Sequence, residues 1–283
     1  MKVGIIGIGL IGGSLAKSIR SSNFATELIG FDENKEHEKS AVTLNLVDHC
    51  LPLKELTRVC DILLLTIPVN FAKDLLIQLL NELKEDQVVI DFGSTKSGIC
   101  EAANNHPNRS LFVASHPIAG TENTGPTAAI DDLFTGKVSI ICEKEKSGIK
   151  ALLTAEKLFQ ILEMKVLFMD PEEHDRHIAY VSHLSHISSF VLGKTVLEIE
   201  KDEQNIFNMA GSGFASTVRL AKSSPNMWTP IFEQNAEHLS KALDAYIQNL
   251  QEFKQFLDQK DLSKMHELMS KTNEIRRVLE GIE

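Results

Sequence analysis

Short apolar runs and helix-spaced apolar stripes alternate through residue 169 of the chain, and after that only helical stripes remain. Residues 2–6 (KVGII) are too few for a helix and rich in Val and Ile, which predicts a buried strand. A helix follows to about Arg20, then a second strand over 28–31. Residues 33–47 are charged and helical in character, and 53–59 predict a short helix. The run DILLLTI at 61–67 predicts a buried strand stopped by Pro68, which also suits the first turn of a helix with apolar positions over 71–83. Further strands are predicted at 87–92, 111–114, 138–142 and 165–169. Between the last two, a helix over 148–162 would carry Ile149, Leu152, Leu153, Leu158 and Ile161 on one face. Such alternation predicts an α/β fold with a mostly parallel sheet covered on both sides.

Past Pro171 the alternation stops. A single long helix is predicted over 175–199, with a middle nearly free of charge, as expected of a helix buried between domains or subunits. Residues 207–222 are rich in small residues and lead into another helix, and a long helical stretch over 230–259, interrupted at most slightly, and a last helix over 262–279 complete the helical part. The boundary falls near Asp170. That divides the chain into a dinucleotide-binding domain over 1–170 and a helical substrate-binding and dimerisation domain over 171–283. The apolar helix motivates the expectation of a homodimer.

The first strand runs into Gly7, Gly9 and Gly12 in a G-x-G-x-x-G pattern, and the second ends at Asp32, 25 residues after Gly7. In a Rossmann-type unit each part has a separate task. Gly7 allows a tight turn, Gly9 lets the backbone approach a pyrophosphate, and Gly12 lets helix and strand pack closely. The pyrophosphate would rest on N–H groups at the helix start, around Leu10 and Ile11. A carboxylate at Asp32 can accept both ribose hydroxyls, which favours NAD over NADP. The competing reading is a structural turn in another α/β fold.

Composition narrows the classes. The chain has 283 residues, 43% hydrophobic, with a net charge of −10 and no Lys/Arg stripe, which argues against nucleic-acid binding. Cys50, Cys60, Cys100 and Cys142 form no C-x-x-C, so buried thiols of a cytoplasmic protein are expected. No apolar run reaches the length of a membrane span, and the first strand begins at once, leaving no room for a signal peptide.

Ligands of an open parallel sheet bind outside the carboxyl ends of its strands. Two polar loops leave such ends here, 93–96 with Ser94, Thr95 and Lys96, and 115–117 with His116. Ser94 and Thr95 equally suit helix capping. His116 beside a nicotinamide would be an acid/base group, against the alternative of a core histidine. Lys96 reads as a substrate or phosphate contact, or a surface charge. His174, His177, His183 and His186 crowd the start of the long helix, without H-E-x-x-H or neighbouring ligands at metal spacing, so no metal is expected. Arg219 sits in a weakly charged helix and should be paired, with a substrate carboxylate or with an internal acid. Trp228 reads as core or interface.

The motifs GIGLIGGSLA (7–16), DFGSTKSGI (91–99), SHPIAGTENTG (115–125), DLFTGK (132–137), HDRHIAYVSHLSHISS (174–189) and the tract from Gly213 through Arg219 to Trp228 together resemble the prephenate dehydrogenase (TyrA) family of tyrosine biosynthesis. The resemblance implies NAD-dependent oxidation of prephenate to 4-hydroxyphenylpyruvate with loss of carbon dioxide, or of arogenate to tyrosine. It implies that His116 hydrogen-bonds the C4 hydroxyl of the substrate and that Ser94 contacts the same hydroxyl or the nicotinamide side. It also implies that His186, Ser182 and His183 line the substrate pocket, that Arg219 holds a carboxylate, and that Glu122 joins the polar network at the entrance. One departure stands out: Ala215 and Ser216 occupy two positions that the family commonly fills with charge, which weakens transfer of subunit contacts or effector response. The chain ends in a helix, with no regulatory or chorismate mutase module expected. Other readings are a β-hydroxyacid dehydrogenase, an imine reductase, or a dinucleotide-binding sensor without catalysis.

Overall fold

A computed structural model describes residues 1–200 and 206–280. By compactness these divide into a unit ending at Ala236 and a second from Glu237 onward.

The first unit begins with strand β1 (Lys2–Ile6), helix α1 (Leu10–Ser21), β2 (Glu27–Phe31), α2 (Lys35–Thr43) and a two-residue β3 (His49–Cys50) that the apolar pattern does not reveal. Then come α3 (Leu53–Val59), β4 (Ile62–Leu65), α4 (Val69–Glu82), β5 (Val88–Asp91), α5 (Ser97–Ala103), β6 (Phe112–Pro117), β7 (Val138–Cys142), α6 (Ile149–Ile161) and β8 (Lys165–Met169). The strands form one sheet in the order β3-β2-β1-β4-β5-β6-β7-β8. All neighbours are parallel except β6 and β7. Alternate residues feed two cores. Ile62, Leu64, Val88 and Ile90 pack with α1 and α6 residues such as Leu15, Ile19 and Leu158, while Leu63, Leu65 and Val89 pack with Leu76, Leu80 and Ile99 of α4 and α5. Burial on both faces explains why the central strands read as continuous apolar runs, whereas the edge strand β8 is largely exposed.

Two expectations are corrected. The strand predicted to stop at Ala114 continues to Pro117, because antiparallel β7 pairs Ser115 with Ile141, His116 with Ile140 and Pro117 with Ser139. His116 is therefore a strand residue, not a loop residue. In α6 the buried face is Ala151, Ala155, Leu158 and Phe159, whereas Ile149 and Leu153 are exposed. The small alanines allow the helix to lie close on the sheet.

After β8, Asp170 caps α7 (Pro171–Ile178), accepting from the N–H groups of Glu172 and Glu173. The long helix expected over 175–199 is interrupted. A π turn (Ala179–His183) separates α7 from α8 (Leu184–Glu200). Asn235 brackets that turn, its Nδ2 donating to the Asp175 carbonyl (2.7 Å) and to His183 Nδ1 (3.1 Å). Helix α9 (Ser212–Val218) and α10 (Pro225–Gln234) complete the unit. Helix α10 starts earlier than predicted and carries Pro230 inside it, and the helical stretch expected over 230–259 is broken only at Asn235, after which helix resumes at Ala236.

The second unit is helical. It holds α11 (Ala236–Asp258) from its second residue on, α12 (Leu262–Thr272), capped by the Asp261 carboxylate on Lys264 N–H, and a last turn α13 (Arg276–Leu279). No helix among the described residues is long and apolar enough to cross a membrane.

Lys96 overturns its reading as a ligand contact or surface charge. It is fully buried, its ammonium donating to the Asp91 carboxylate and to the Ser115 carbonyl at 2.7 Å. Replacing Lys96 with Met leaves the Asp91 carboxylate buried without its counter-charge, so urea unfolding should show a loss of about 3–5 kcal/mol.

Candidate active site

The glycine turn lies where the strand order reverses, between β1 and β4. Gly7 adopts φ +95°, and its N–H donates to Phe31 O at 2.8 Å. A Cβ on Gly12 would lie 2.2 Å from Gly7 O, so only glycine allows α1 this close. At Gly9 a Cβ would meet nothing within 4 Å, leaving the backbone open on the side a ligand would approach. Gly9 is also the N-cap of α1, and no side chain caps the helix ahead of Leu10 and Ile11. Thr66 Oγ1 ties the turn to β4 by donating to Gly7 O at 2.6 Å. Asp32 sits beside this turn. Its Oδ2 accepts from Ile8 N–H at 2.8 Å, and its Oδ1 accepts from Asn34 N–H at 2.9 Å and lies 3.3 Å from His37 Nδ1. An open glycine turn at a helix start, with a carboxylate at the end of the next strand, fits a dinucleotide.

Next along the same edge, β5 ends at Asp91 and the turn to α5 carries half-buried Ser94. Asp91 Oδ1 accepts from Gly93 N–H (3.0 Å), and Ser115 Oγ donates to Asp91 O (2.6 Å). Together with the Lys96 ammonium, these bonds join the Ser94 turn to the end of β6. His116 is 9% exposed, with Nδ1 2.8 Å from His174 Nε2. His174 Nδ1 is in turn 2.8 Å from Asp175 Oδ1. The Asp175 carboxylate also accepts from the N–H groups of Lys96 and Ser97, both at 2.8 Å. Burial, reinforced by His174, Lys96 and His183, holds His116 well below the ordinary imidazole value. Burial likewise lowers His174 against the opposing pull of Asp175.

The α7–α8 region contributes a second histidine group. His186 stacks on Trp228 with ring centroids 3.4 Å apart, and its Nδ1 donates to Ser182 O at 3.1 Å, which leaves Nε2 as an acceptor. His186 is half-buried, and burial lowers its pKa. His183 differs from it. It is 1% exposed, bonded to Asn235 and edge-on to Trp228 and Phe232, and burial pushes it down to about 4. Its contacts are with the protein's own groups. Arg219, just after α9, has an internal partner: Nη1 donates to Glu122 Oε2 at 2.7 Å, with Arg219 half exposed. Its internal acid is thus Glu122, from the loop between β6 and β7. Ala215 and Ser216 are exposed, the Ser216 hydroxyl donating to Gly213 O at 2.9 Å.

His174, Asp175 and Asn235 have no individual role in the pattern reading. The adjacent His174 and Asp175 carry a signal for the first two, since a carboxylate next to a histidine can orient it. Asn235 becomes meaningful only when α10 meets the π turn.

Comparisons with known proteins agree with this geometry. The chain matches the family model described as prephenate dehydrogenase, nucleotide-binding domain, over residues 15–168, and that described as prephenate dehydrogenase, dimerization domain, over 170–271. It is 29% identical to the prephenate dehydrogenase of Lactococcus lactis over 99% of this chain and 77% of that protein. The crystal structure of prephenate dehydrogenase from Aquifex aeolicus in complex with hydroxyphenyl propionate and NAD+ superposes with a TM-score of 0.90 at 31% identity, covering 99% of this chain and 98% of that one. Synechocystis arogenate dehydrogenase superposes with a TM-score of 0.78 at 28% identity, covering 99% of this chain and 100% of that one. Matched in order through sheet and helices alike, the chain belongs to the prephenate dehydrogenase family.

Proposed function

We propose that the protein is an NAD-dependent prephenate dehydrogenase that forms 4-hydroxyphenylpyruvate in tyrosine biosynthesis. The chemistry asks little of a protein beyond orientation and charge. A hydride leaves C4 of the ring, the ring carboxylate departs as carbon dioxide, and its bonding electrons complete the aromatic ring. A dianion that loses one hydride and one neutral carbon dioxide becomes a monoanion, so no net proton is released. A base that takes the C4 hydroxyl proton as the carbonyl character develops must therefore return it. NAD, when bound, supplies the hydride acceptor.

The observation that carries this reading is His116: buried, held neutral by its surroundings, and with Nδ1 already bonded to His174. Its Nε2 is the acceptor for the hydroxyl proton, and Ser94 orients the same hydroxyl. Arg219 binds a substrate carboxylate with donors beyond the Nη1 contact to Glu122. His186 and Ser182 line the pocket, with His183 behind them. Gly7, Gly9, Leu10, Ile11, Gly12 and Asp32 hold NAD. The helical part from 171 binds substrate and pairs two subunits. The second family model supports the pairing, as do Val191, Leu192, Leu197 and Ile199, which are exposed on α8. Arogenate, with an amine in place of the keto group, is the second reading, supported by the likeness to Synechocystis arogenate dehydrogenase.

Steady-state kinetics with both substrates and both nicotinamide cofactors tests the proposal. Prephenate with NAD should give the highest kcat/KM, and efficient use of NADP would overturn the role of Asp32. Because the pKa of His116 lies below the ordinary 6.5, the neutral base persists into mild acid. The acid limb of kcat should therefore fall below pH 6.5, and it should vanish with most of the activity in His116→Asn. Arg219→Ala should raise the prephenate KM by about 10- to 100-fold, the worth of a charged hydrogen bond, with a smaller change in kcat. Sedimentation velocity at micromolar concentration should return twice the chain mass.

A further inference from the structure

His116 is the outer member of a buried chain of three groups. His174 and Asp175, behind it, are 1% and 2% exposed. With His174 kept neutral by its burial, their partners admit one protonation pattern. Asp175 Oδ1 accepts from Lys96 N–H and Oδ2 from Ser97 N–H. A carboxylate facing two backbone N–H groups is an acceptor, so His174 Nδ1, 2.8 Å from Oδ1, must carry a proton. A neutral His174 then has a bare Nε2, which can only accept. His116 Nδ1, 2.8 Å away, must donate to it, and the lone pair of His116 is left on Nε2.

We propose that His174 and Asp175 are positioning residues that fix His116 in the Nδ1–H tautomer and steady the positive charge it acquires while it holds the substrate's hydroxyl proton. The inference rests on the reading of His116 as the acceptor. One proton moves. The O–H bond at C4 breaks as an Nε2–H bond forms, and the proton returns to oxygen when the ring has aromatised. The Nδ1–H of His116 stays in place, and its bond through His174 to Asp175 lets the carboxylate balance the imidazolium.

A clamp between α7 and the Ser94 turn would need only the Asp175 carboxylate and the two backbone N–H groups. The histidine between that carboxylate and β6 is unexplained by clamping. The other charged or titratable groups facing this chain are Lys96 from the β5–α5 turn, neutralised by Asp91 of β5, and His183 from the π turn. No second carboxylate among them competes for the His116 ring.

The test combines imidazole-nitrogen NMR of 15N-histidine protein with kinetics of three variants. In the unaltered enzyme His116 should show a protonated Nδ1 and a bare Nε2 from neutral pH into mild acid. His174→Phe removes the acceptor, and Asp175→Asn sets an amide N–H against a backbone N–H and removes the negative charge that balances the imidazolium. Each should lower kcat by at least about 10²-fold, the scale of losing a correctly protonated base, with prephenate KM within about threefold. His174→Gln can accept from His116 with its carbonyl and donate to Asp175 with its amide, so it should recover at least about tenfold of the kcat lost in His174→Phe and restore the Nδ1–H signal. A bare Nδ1 on His116 in the unaltered enzyme would falsify the proposal. So would a normal kcat and acid limb in folded His174→Phe, and so would a His174→Gln no better than His174→Phe. If the tautomer is as stated but neither prephenate nor arogenate turns over, the functional reading fails while the positioning of His116 stands.

Discussion

The site depends on one ammonium group placed where water does not reach. Lys96 Nζ meets the Asp91 carboxylate and the Ser115 carbonyl inside the sheet edge. Measured against well-packed apolar side chains, such a pair adds little net stability, because both charges lose hydration. It does punish misalignment: a slip of β6 along β5 would strand a buried charge. The Ser115 hydroxyl on Asp91 O adds a second, neutral constraint on the same two strands. Register at that point sets the height of His116 relative to the Ser94 turn, so a buried salt bridge with no visible chemistry determines where the chemistry sits.

The dinucleotide turn and the acid/base group share an origin in topology. Strands β1, β4, β5 and β6 run parallel and deliver their carboxyl ends to one edge. Gly7 follows the first of these, and His116 lies near the end of the last. Between them the backbone makes tight approaches that only glycine permits, and Thr66 and Asp91 hold the turns with side-chain bonds to the main chain. Asp175, arriving from α7, bonds the first N–H groups of α5 and so ties the helical region to that edge.

Much of this was legible in the residues alone. The strand-turn-helix start, Asp32, and the change of architecture near Asp170 follow from local signals: apolar runs, glycine spacing, and the end of the strand–helix alternation near Pro171. His116 and Arg219 stood out by residue type in an unusual setting. What stayed hidden depends on partners far along the chain. His116 looked like a loop residue because strand β7, which extends β6 past Ala114, lies more than twenty residues later. Lys96 looked exposed because nothing in its neighbourhood announces that Asp91 and Ser115 will enclose it. The buried face of α6 is hidden in the sequence because alanines such as Ala151 and Ala155 carry little weight in a hydrophobic pattern although they pack most closely. Arg219 had two equal partners on paper, and only the fold brings Glu122 to it, 97 residues away in sequence.

The π turn at Ala179–His183 has a consequence for how this fold tolerates change. A π turn closes its hydrogen bonds one residue later than an α turn, so it holds one residue more than regular helix would. Deleting a single residue there would restore a continuous α-helix and rotate everything beyond it by about 100°. His186 would swing off Trp228, and α8 would present a different side outward, while α7 and its caps stayed as they are. A length change that most surface loops absorb would therefore rewrite one wall of the pocket, and with it the outward side of α8, in a single step. The segment is in effect a phase setting between the half of the site built on the sheet and the half built on helices.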